Sequence, residues 1–450
     1  MGAIKQYIDL YTDQKSVIDA NSTGAMNSMR DKALAALEGK ELPDKSVEGF
    51  EKTSIDDMMA PDYGINIQRI NIPADVASSF HCGVPNLSTM LGVVVNDEFH
   101  PVDSLQKRLP EGCVFTSMKN ADNVCPGLLQ KYYGTIADLE QPGVALNTLL
   151  SQNGVVLYIP KGMKIDKPLQ LVNIFNSPVP TMAFRRLIIV LDDDASAQIL
   201  LCDHTQECNN AYQSSQVIEI ALGENASLDL CDIEESSDKT SRYSQLFAVQ
   251  HQRSRLALNG TTLLCGTTRN EYNVKVEGHE CETLIAGMAI ASKKQHIDNN
   301  TLVTHLGTHC RSRQLFKYVI DEEASGAFEG TIFVDEKAKF TEAYQNDKNL
   351  LASGTAKMHC KPQLLIYCDD VKCSHGASTG QLDMNALFYM RSRGIDEKLA
   401  RTMLMQAFMS DVIDTVSMPG LKERLHLLVE KRFENKDLSC GSCNINCKES

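Results

Sequence analysis

The chain has 450 residues, of which 43% are hydrophobic and 23% are charged. A chain of this length is expected to divide into two or three domains, each with its own core. Its 44 basic and 58 acidic residues give a net charge of −14, which argues against nucleic-acid binding. No apolar run approaches the roughly 20 residues of a membrane span, and the N-terminus lacks a signal-peptide core. Fifteen cysteines without a secretion signal indicate reduced thiols in a cytoplasm.

Helices are predicted to dominate the first region, residues 1–142. Apolar side chains recur at helical spacing in segments 4–11 and 25–37. These stripes are typical of helix faces that pack on a core. We therefore expect an α-rich N-terminal domain.

The apolar pattern changes to period two, the spacing of half-buried strands, in residues 143–380. Segment 187–201 reads as a strand, an acidic corner at 192–194, the small residue Ala195 and a second strand, and segment 218–230 repeats this unit. A single unit cannot bury its apolar face, whereas stacked units share one continuous core. The residues alone predict either a β-solenoid or an antiparallel sandwich.

Helical spacing returns in residues 381–436. Asp383 is a predicted N-cap, Gly394 a predicted helix end and Asp396 the N-cap of the next helix, while Pro419 suits the start of a third. Because the last strands of a solenoid expose unpaired edges, we expect these helices to cap its end. They form the predicted C-terminal helical domain.

Cys373 and His375 form the clearest chemical constellation, at the end of a β-like segment. Thiolate sulfur and imidazole nitrogen are good ligands for iron or zinc, and residues two apart on a strand face the same side. Two ligands do not complete a metal site, so others would come from elsewhere in the chain or from a partner. The alternative is a buried thiol beside a hydrogen-bonded histidine.

The tail, residues 437–450, carries Cys440, Cys443 and Cys447 in a polar segment. Their spacing would let two or three sulfurs converge on one metal ion. The alternative is a flexible tail with oxidisable cysteines. Phosphate-binding loops and common hydrolase motifs are absent from the sequence, so we expect neither ATP binding nor the common hydrolase activities.

Several sequence runs carry a resemblance to a known family. Residues 369–377 read Asp-Asp-Val-Lys-Cys-Ser-His-Gly-Ala, residues 380–383 read Gly-Gln-Leu-Asp, and residues 387–395 read Leu-Phe-Tyr-Met-Arg-Ser-Arg-Gly-Ile. Further matches lie at 185–188 and 328–330. The chain resembles the SufB/SufD family, most closely its SufD branch, over nearly its whole length. The resemblance implies a parallel β-helix core in a non-catalytic scaffold subunit of the SUF iron–sulfur cluster assembly system.

The resemblance also implies sites and partners. His375, and with it Cys373, would lie at an interface with a SufB-type subunit. Iron or an iron–sulfur cluster would occupy this interface only transiently, and no tightly bound cofactor is expected. A SufC-type ATPase would dock on the C-terminal helices. The six docking residues expected on these helices are Leu387, Phe388, Arg391, Arg393, Met403 and Phe408.

Three alternatives stay open at the level of sequence. The chain could be the SufB-like subunit itself, although its signature reads Ser-His-Gly and its N-terminal region lacks a Cys-x-x-Cys motif. A homodimer could replace the heterocomplex. A distant alternative is a β-helix enzyme acting on polysaccharide, which the absence of tryptophan and of a signal segment disfavours.

Overall fold

Helices form both ends of the chain, and strands form its middle. The computed structural model describes residues 2–70, 89–100, 109–206 and 209–434. The N-terminal helices are α1 (Ile4–Ala20), α2 (Gly24–Leu37), α3 (Ile55–Met59), α4 (Met118–Val124), α5 (Leu128–Tyr132) and α6 (Pro142–Leu150). The C-terminal helices are α7 (Met384–Ser392), α8 (Glu397–Ile413) and α9 (Pro419–Phe433).

The strands run from the end of the N-terminal helices to the start of the C-terminal ones. The first ten are β1 (Gly64–Ile65), β2 (Met90–Val95), β3 (Glu98–His100), β4 (Val114–Ser117), β5 (Val155–Ile159), β6 (Leu169–Phe175), β7 (Thr181–Leu191), β8 (Ser196–Thr205), β9 (Tyr212–Leu222) and β10 (Ser227–Glu235). The others are β11 (Thr240–Gln250), β12 (Arg255–Leu264), β13 (Thr267–Val276), β14 (Glu282–Ala291), β15 (His296–His305), β16 (Arg311–Ile320), β17 (Ser325–Val334), β18 (Thr341–Leu351), β19 (Lys357–Ile366) and β20 (Val371–Gln381).

Alternate strands build two sheets, which confirms the predicted parallel β-helix over the antiparallel sandwich. The odd sheet runs from β4 and β5 through the odd-numbered strands to β19, and the even sheet runs from β3, β2 and β6 through the even-numbered strands to β20. From β5 and β6 onward each strand pairs in parallel with the strand two places along the chain. Antiparallel pairs β2–β3 and β4–β5 close the N-terminal end of the sheets.

The corners of the solenoid repeat the unit seen in the sequence. Asp194, Asn225 and Glu280 adopt positive φ values of 56–59°, and each is followed by a fully buried small residue. Aspartate and asparagine tolerate this left-handed conformation better than most side chains. Successive corners are hydrogen-bonded to each other: the Asp194 amide donates to the Glu224 carbonyl at 2.8 Å, and the Asn225 amide to the Gln252 carbonyl at 2.9 Å.

The main core lies between the two sheets. It is lined by the inward side chains of both, among them Leu187, Ile218, Leu246 and Phe316. The N-terminal helices pack on the outer face of the odd sheet, where Phe184 of β7 contacts the side of α1 and α6. Strands β2–β4 precede residue 142 yet belong to the two sheets. The proposed domain limits at residues 142, 380 and 436 stay predictions.

The C-terminal helices lie on the outer face of the even sheet, so the prediction that they cap the end of the solenoid is wrong. Outward residues of the even strands, including Leu200, Ile233 and Met288, form one apolar cluster with Met409 and Leu425 of α8 and α9. An apolar outer face has to be covered, and this determines where the helices pack. Within the described part of the chain, no strand pairs with the outer edges of β19 and β20. The solenoid therefore has an open end.

Candidate functional site at the open end

Cys373 and His375 both lie in β20, the last strand of the even sheet, with the same orientation, as predicted. In register, Cys373 is beside Ala343 of β18 and His375 is beside Gln345. The Cys373 side chain is half-buried against a small apolar cluster that includes Val334 and Ala343. Burial raises the pKa of its thiol. His375, by contrast, is exposed at the open end.

A row of amide side chains continues from His375 into the solenoid. Gln345 is buried beside it, and Gln314 of β16 lies beside Gln345 in turn. The Gln345 Nε2 donates to Gln314 Oε1 at 3.1 Å, and Thr301 Oγ1 donates to the same oxygen at 2.7 Å. Gln345 Oε1 accepts no hydrogen bond from the described residues. The row thus places the exposed imidazole beside polar groups that extend into the interior, an arrangement able to bind an ion.

Sequence reasoning missed this row because its members come from strands about thirty residues apart. The signal was present in β18, where Gln345, Asp347 and Asn349 alternate with period two. The neighbouring strand of the even sheet, β16, has Phe316 and Tyr318 in the positions that register with Asp347 and Asn349. A change from aromatic to polar residues on an inward face marks the place where the apolar core ends.

Several other cysteines and histidines have structural roles. Cys202, Cys231 and Cys368 are buried in apolar clusters, as expected for core thiols. His305 is fully buried, with Nε2 2.9 Å from Ser312 Oγ, and burial lowers its pKa to about 4. No group of three or more His, Cys, Asp or Glu side chains able to hold a metal occurs among the described residues. Cys440, Cys443 and Cys447 lie outside them, so the predicted metal site of the tail stays a prediction.

The predicted docking helices, α7 and α8, expose several large apolar side chains. Of the predicted residues, Phe388 and Met403 are exposed, by 73% and 42%. Arg391 pairs with Glu397 at 3.2 Å, and Arg393 lies over the ring of Tyr389. Two predicted residues point inward instead: Leu387 is buried, and Phe408 packs on the even sheet under Lys317. Three exposed residues that the prediction omitted are Met384, Tyr389 and Leu399.

The fold and the exposed surfaces together define the class of protein. Among the described residues, no helix is long and apolar enough to cross a bilayer. What the chain presents is a parallel β-solenoid with an open end, an exposed histidine at that end and an exposed apolar helix pair. These features define a β-solenoid protein with an exposed apolar surface of the kind that other proteins bind.

Comparison with known families identifies which solenoid this is. Residues 173–408 match the family model described as "SUF system FeS cluster assembly, SufBD core domain", and residues 1–171 match the "SufBD protein N-terminal region". The chain therefore belongs to the SufBD family, whose role is in iron–sulfur cluster assembly. This confirms the resemblance inferred from residues 369–395.

Curated relatives agree with this assignment. The chain is 27% identical to an iron–sulfur cluster assembly SufBD family protein of Synechocystis over 429 residues, covering 93% of this chain and 94% of the relative. It is 28% identical over 294 residues to the iron–sulfur cluster assembly protein SufD of Escherichia coli, covering 64% and 69% of the two chains. It is 27% identical over 342 residues to SufD of Bacillus subtilis, covering 74% and 76%.

Proposed function

We propose that the chain is a SufD-type scaffold subunit of the SUF system, which supports iron–sulfur cluster assembly without catalysing a step itself. The observation that carries the proposal is the open end, where β20 combines an unpaired edge with the exposed His375. The relatives named SufD support the choice of branch. Iron or a cluster would pass through the interface as cargo. The proposed setting is the cytoplasm.

The proposed partner at the open end is a SufB-type subunit. Because no strand of the described residues pairs with the outer edge of β19 or β20, a second solenoid can add a strand to both sheets at once. Backbone hydrogen bonds would supply affinity, and the side chains of β20 would supply specificity. His375 would then face groups of the sister subunit. A second copy of this chain is the competing occupant of the same edges.

The proposed partner on α7 and α8 is a SufC-type ATPase. Large apolar side chains exposed together on a helix pair are typical of a protein-binding surface. This pair is tied to the even sheet through Lys317, whose ammonium contacts the Phe408 carbonyl at 2.6 Å and the Asp411 carboxylate. Movement of a docked ATPase would thus reach β16, two strands from the open end.

The test is co-expression of the chain with the sister subunit and ATPase of the same genome, followed by anaerobic purification and native mass measurement. We expect one copy of this chain, one sister and two ATPases. A chain that binds neither protein, or that forms only a homodimer when both are present, would overturn the proposal.

Variants separate the two surfaces within the same experiment. His375→Ala should leave the complex intact but lower its iron and sulfide content, whereas His309→Ala, at an exposed corner, should not. Phe388→Asp should lose the ATPase and keep the sister, while Leu427→Asp, on an exposed position of α9, should keep both. Equal iron and sulfide in His375→Ala would exclude a role in assembly for that residue.

A further inference from the structure

A second polar cluster lies inside the last coils of the solenoid, beyond the row of His375. Asp347 and Asn349 extend inward from β18, Cys360 lies on β19, and Thr379 follows on β20. Asn349 Nδ2 donates to Asp347 Oδ2 at 2.6 Å and lies 3.1 Å from Cys360 Sγ. The same nitrogen lies 3.4 Å from the Ser378 carbonyl and 3.4 Å from Thr379 Oγ1.

Asp347 is unusual because its buried carboxylate has no cationic partner among the described residues. Among the described residues of the solenoid, every other buried acid pairs with an arginine. The closest of these pairs are Asp203–Arg185 at 2.6 Å, Glu219–Arg186 at 2.6 Å, Asp232–Arg242 at 2.5 Å and Asp298–Arg269 at 2.6 Å. Asp347 is 0% exposed, and its Oδ1 accepts no hydrogen bond from the described residues. A buried carboxylate in this state lacks a counter-charge.

The geometry around Asn349 shows where a cation would fit. Its side-chain nitrogen donates to both the Asp347 carboxylate and the Cys360 sulfur, so the amide occupies the point on which these two potential anions converge. The Asn349 Oδ1 is buried and accepts no hydrogen bond from the described residues. On binding of a cation, rotation of this amide by 180° would exchange the two atoms, so that the oxygen instead of the nitrogen faces the Asp347 carboxylate and the Cys360 sulfur.

The donor set identifies the class of ion. A thiolate disfavours magnesium and calcium, whereas a mixture of sulfur and oxygen ligands suits first-row transition metals. We propose that Asp347, Asn349 and Cys360 form a binding site for a divalent transition-metal ion, reached from the open end. The ion bonds to the Cys360 sulfur and releases the thiol proton to solvent. Thr379, which is exposed, and water complete the coordination. The site belongs to this chain and does not depend on pairing with a sister subunit.

The test is an anaerobic titration of the full-length chain with Co²⁺, whose bond to a thiolate gives a charge-transfer absorption band. The titrated protein carries Cys440→Ser, Cys443→Ser and Cys447→Ser, so that tail thiols do not contribute. We expect one ion per chain. Asp347→Asn should weaken binding at least about tenfold, equivalent to 1.4 kcal/mol, and Cys360→Ser should remove the band. Cys368→Ser, which changes a buried thiol outside the cluster, should behave like its parent.

Two outcomes would overturn the site: no band in the parent protein, or the same band in Cys360→Ser. A urea unfolding midpoint for each variant shows whether it is folded. Asp347→Asn removes an unpaired buried charge, so we expect it to be at least as stable as its parent without metal. In the parent, Co²⁺ should raise the midpoint, because an ion that binds only the folded state stabilises it. A midpoint in the parent that does not respond to Co²⁺ would contradict the proposal.

Discussion

The buried carboxylate of Glu219 connects the N-terminal region to the solenoid. It lies 2.6 Å from the Arg186 guanidinium, and both side chains are fully buried. The same carboxylate accepts hydrogen bonds from the backbone amides of Gly134, Ile136 and Ala137 at 2.9–3.0 Å. Loss of its charge would leave Arg186 buried without a counter-ion. We expect Glu219→Gln to lower the free energy of unfolding by about 3–5 kcal/mol.

Urea unfolding of the two proteins measures this difference. The matched control is Asp193→Asn, which breaks an exposed pair with Lys161. Exposed pairs are screened by solvent, so the control should unfold at nearly the wild-type urea concentration. Equal effects of the two substitutions would show that the Arg186–Glu219 pair is not what joins the regions.

The buried imidazole of His305 should make stability depend on pH. Burial lowers its pKa to about 4 in the folded protein, below the value of about 6.5 in an unfolded chain. The unfolded chain therefore takes up a proton first as the pH falls. The stabilisation present at neutral pH is lost progressively between about pH 6.5 and about pH 4, up to roughly 3 kcal/mol in total.

His305→Gln removes the titrating group and should reduce the dependence of stability on pH in this range. The measurement is the urea midpoint of both proteins at about pH 7 and about pH 5, where the linkage predicts the wild type to lose more. His309→Gln, at an exposed corner, is the control and should follow the wild type. Parallel profiles for wild type and His305→Gln would contradict the assignment.

At the scale of elements, the position of α9 on the even sheet depends on one apolar face. Leu425 is 1% exposed in the cluster shared with the sheet, while Leu427 of the same helix is 46% exposed. Polar contacts assist: Arg432 Nε donates to the Leu263 carbonyl at 2.7 Å. We expect Leu425→Ala to cost about 2–5 kcal/mol and Leu427→Ala far less.

Native-state proteolysis can measure the effect on this element alone. Leu425→Ala should speed cleavage within α9 while the solenoid stays resistant, because the helix detaches from a sheet that remains folded. Leu427→Ala should be cleaved at the wild-type rate. Equal rates for both variants would mean that the outer face of the sheet does not hold the helix.

Features that depend on residues close in sequence, such as helix caps and corners, were predicted well. Features that depend on residues far apart in sequence were missed. Asp383 and Asp396 cap α7 and α8 through hydrogen bonds to the amides two and three residues on, as their positions in the sequence indicated. The corners between strands were predicted equally well, because each is formed by a few consecutive residues. The position of the C-terminal helices could not be predicted, since several even strands are apolar on both faces. β14, ETLIAGMAIA, contains no alternation that distinguishes its two sides.

The same distinction applies to the site. Cys373 and His375 are two residues apart in one strand, so their common orientation followed from period two alone. Their neighbours Gln345 and Gln314 are fixed by strand register, which depends on the number of residues in each coil. No short sequence pattern encodes that number. The inward row beneath His375 therefore required the structure.

At the scale of the whole molecule, the two ends of the solenoid differ. Antiparallel strands close the N-terminal end, whereas the inward side chains of β19 and β20 are only partly covered. In β20, every residue after Cys373 is exposed. A long unpaired edge is an aggregation hazard in an isolated protein. Its retention here is explained if a partner covers it, as the proposed function requires.

Hydrogen exchange can identify the partner-binding surface directly. In the isolated chain, amides of β19 and β20 should exchange faster than those of the central strands β9–β12, because the last coil is stabilised from one side only. Addition of the SufB-type subunit should slow exchange in β19 and β20 by at least about tenfold, equivalent to 1.4 kcal/mol of added stability. The ATPase should instead protect α7 and α8. Protection by the sister subunit on the outer face of the odd sheet, with β20 unchanged, would place the interface elsewhere and leave the open end without its proposed role.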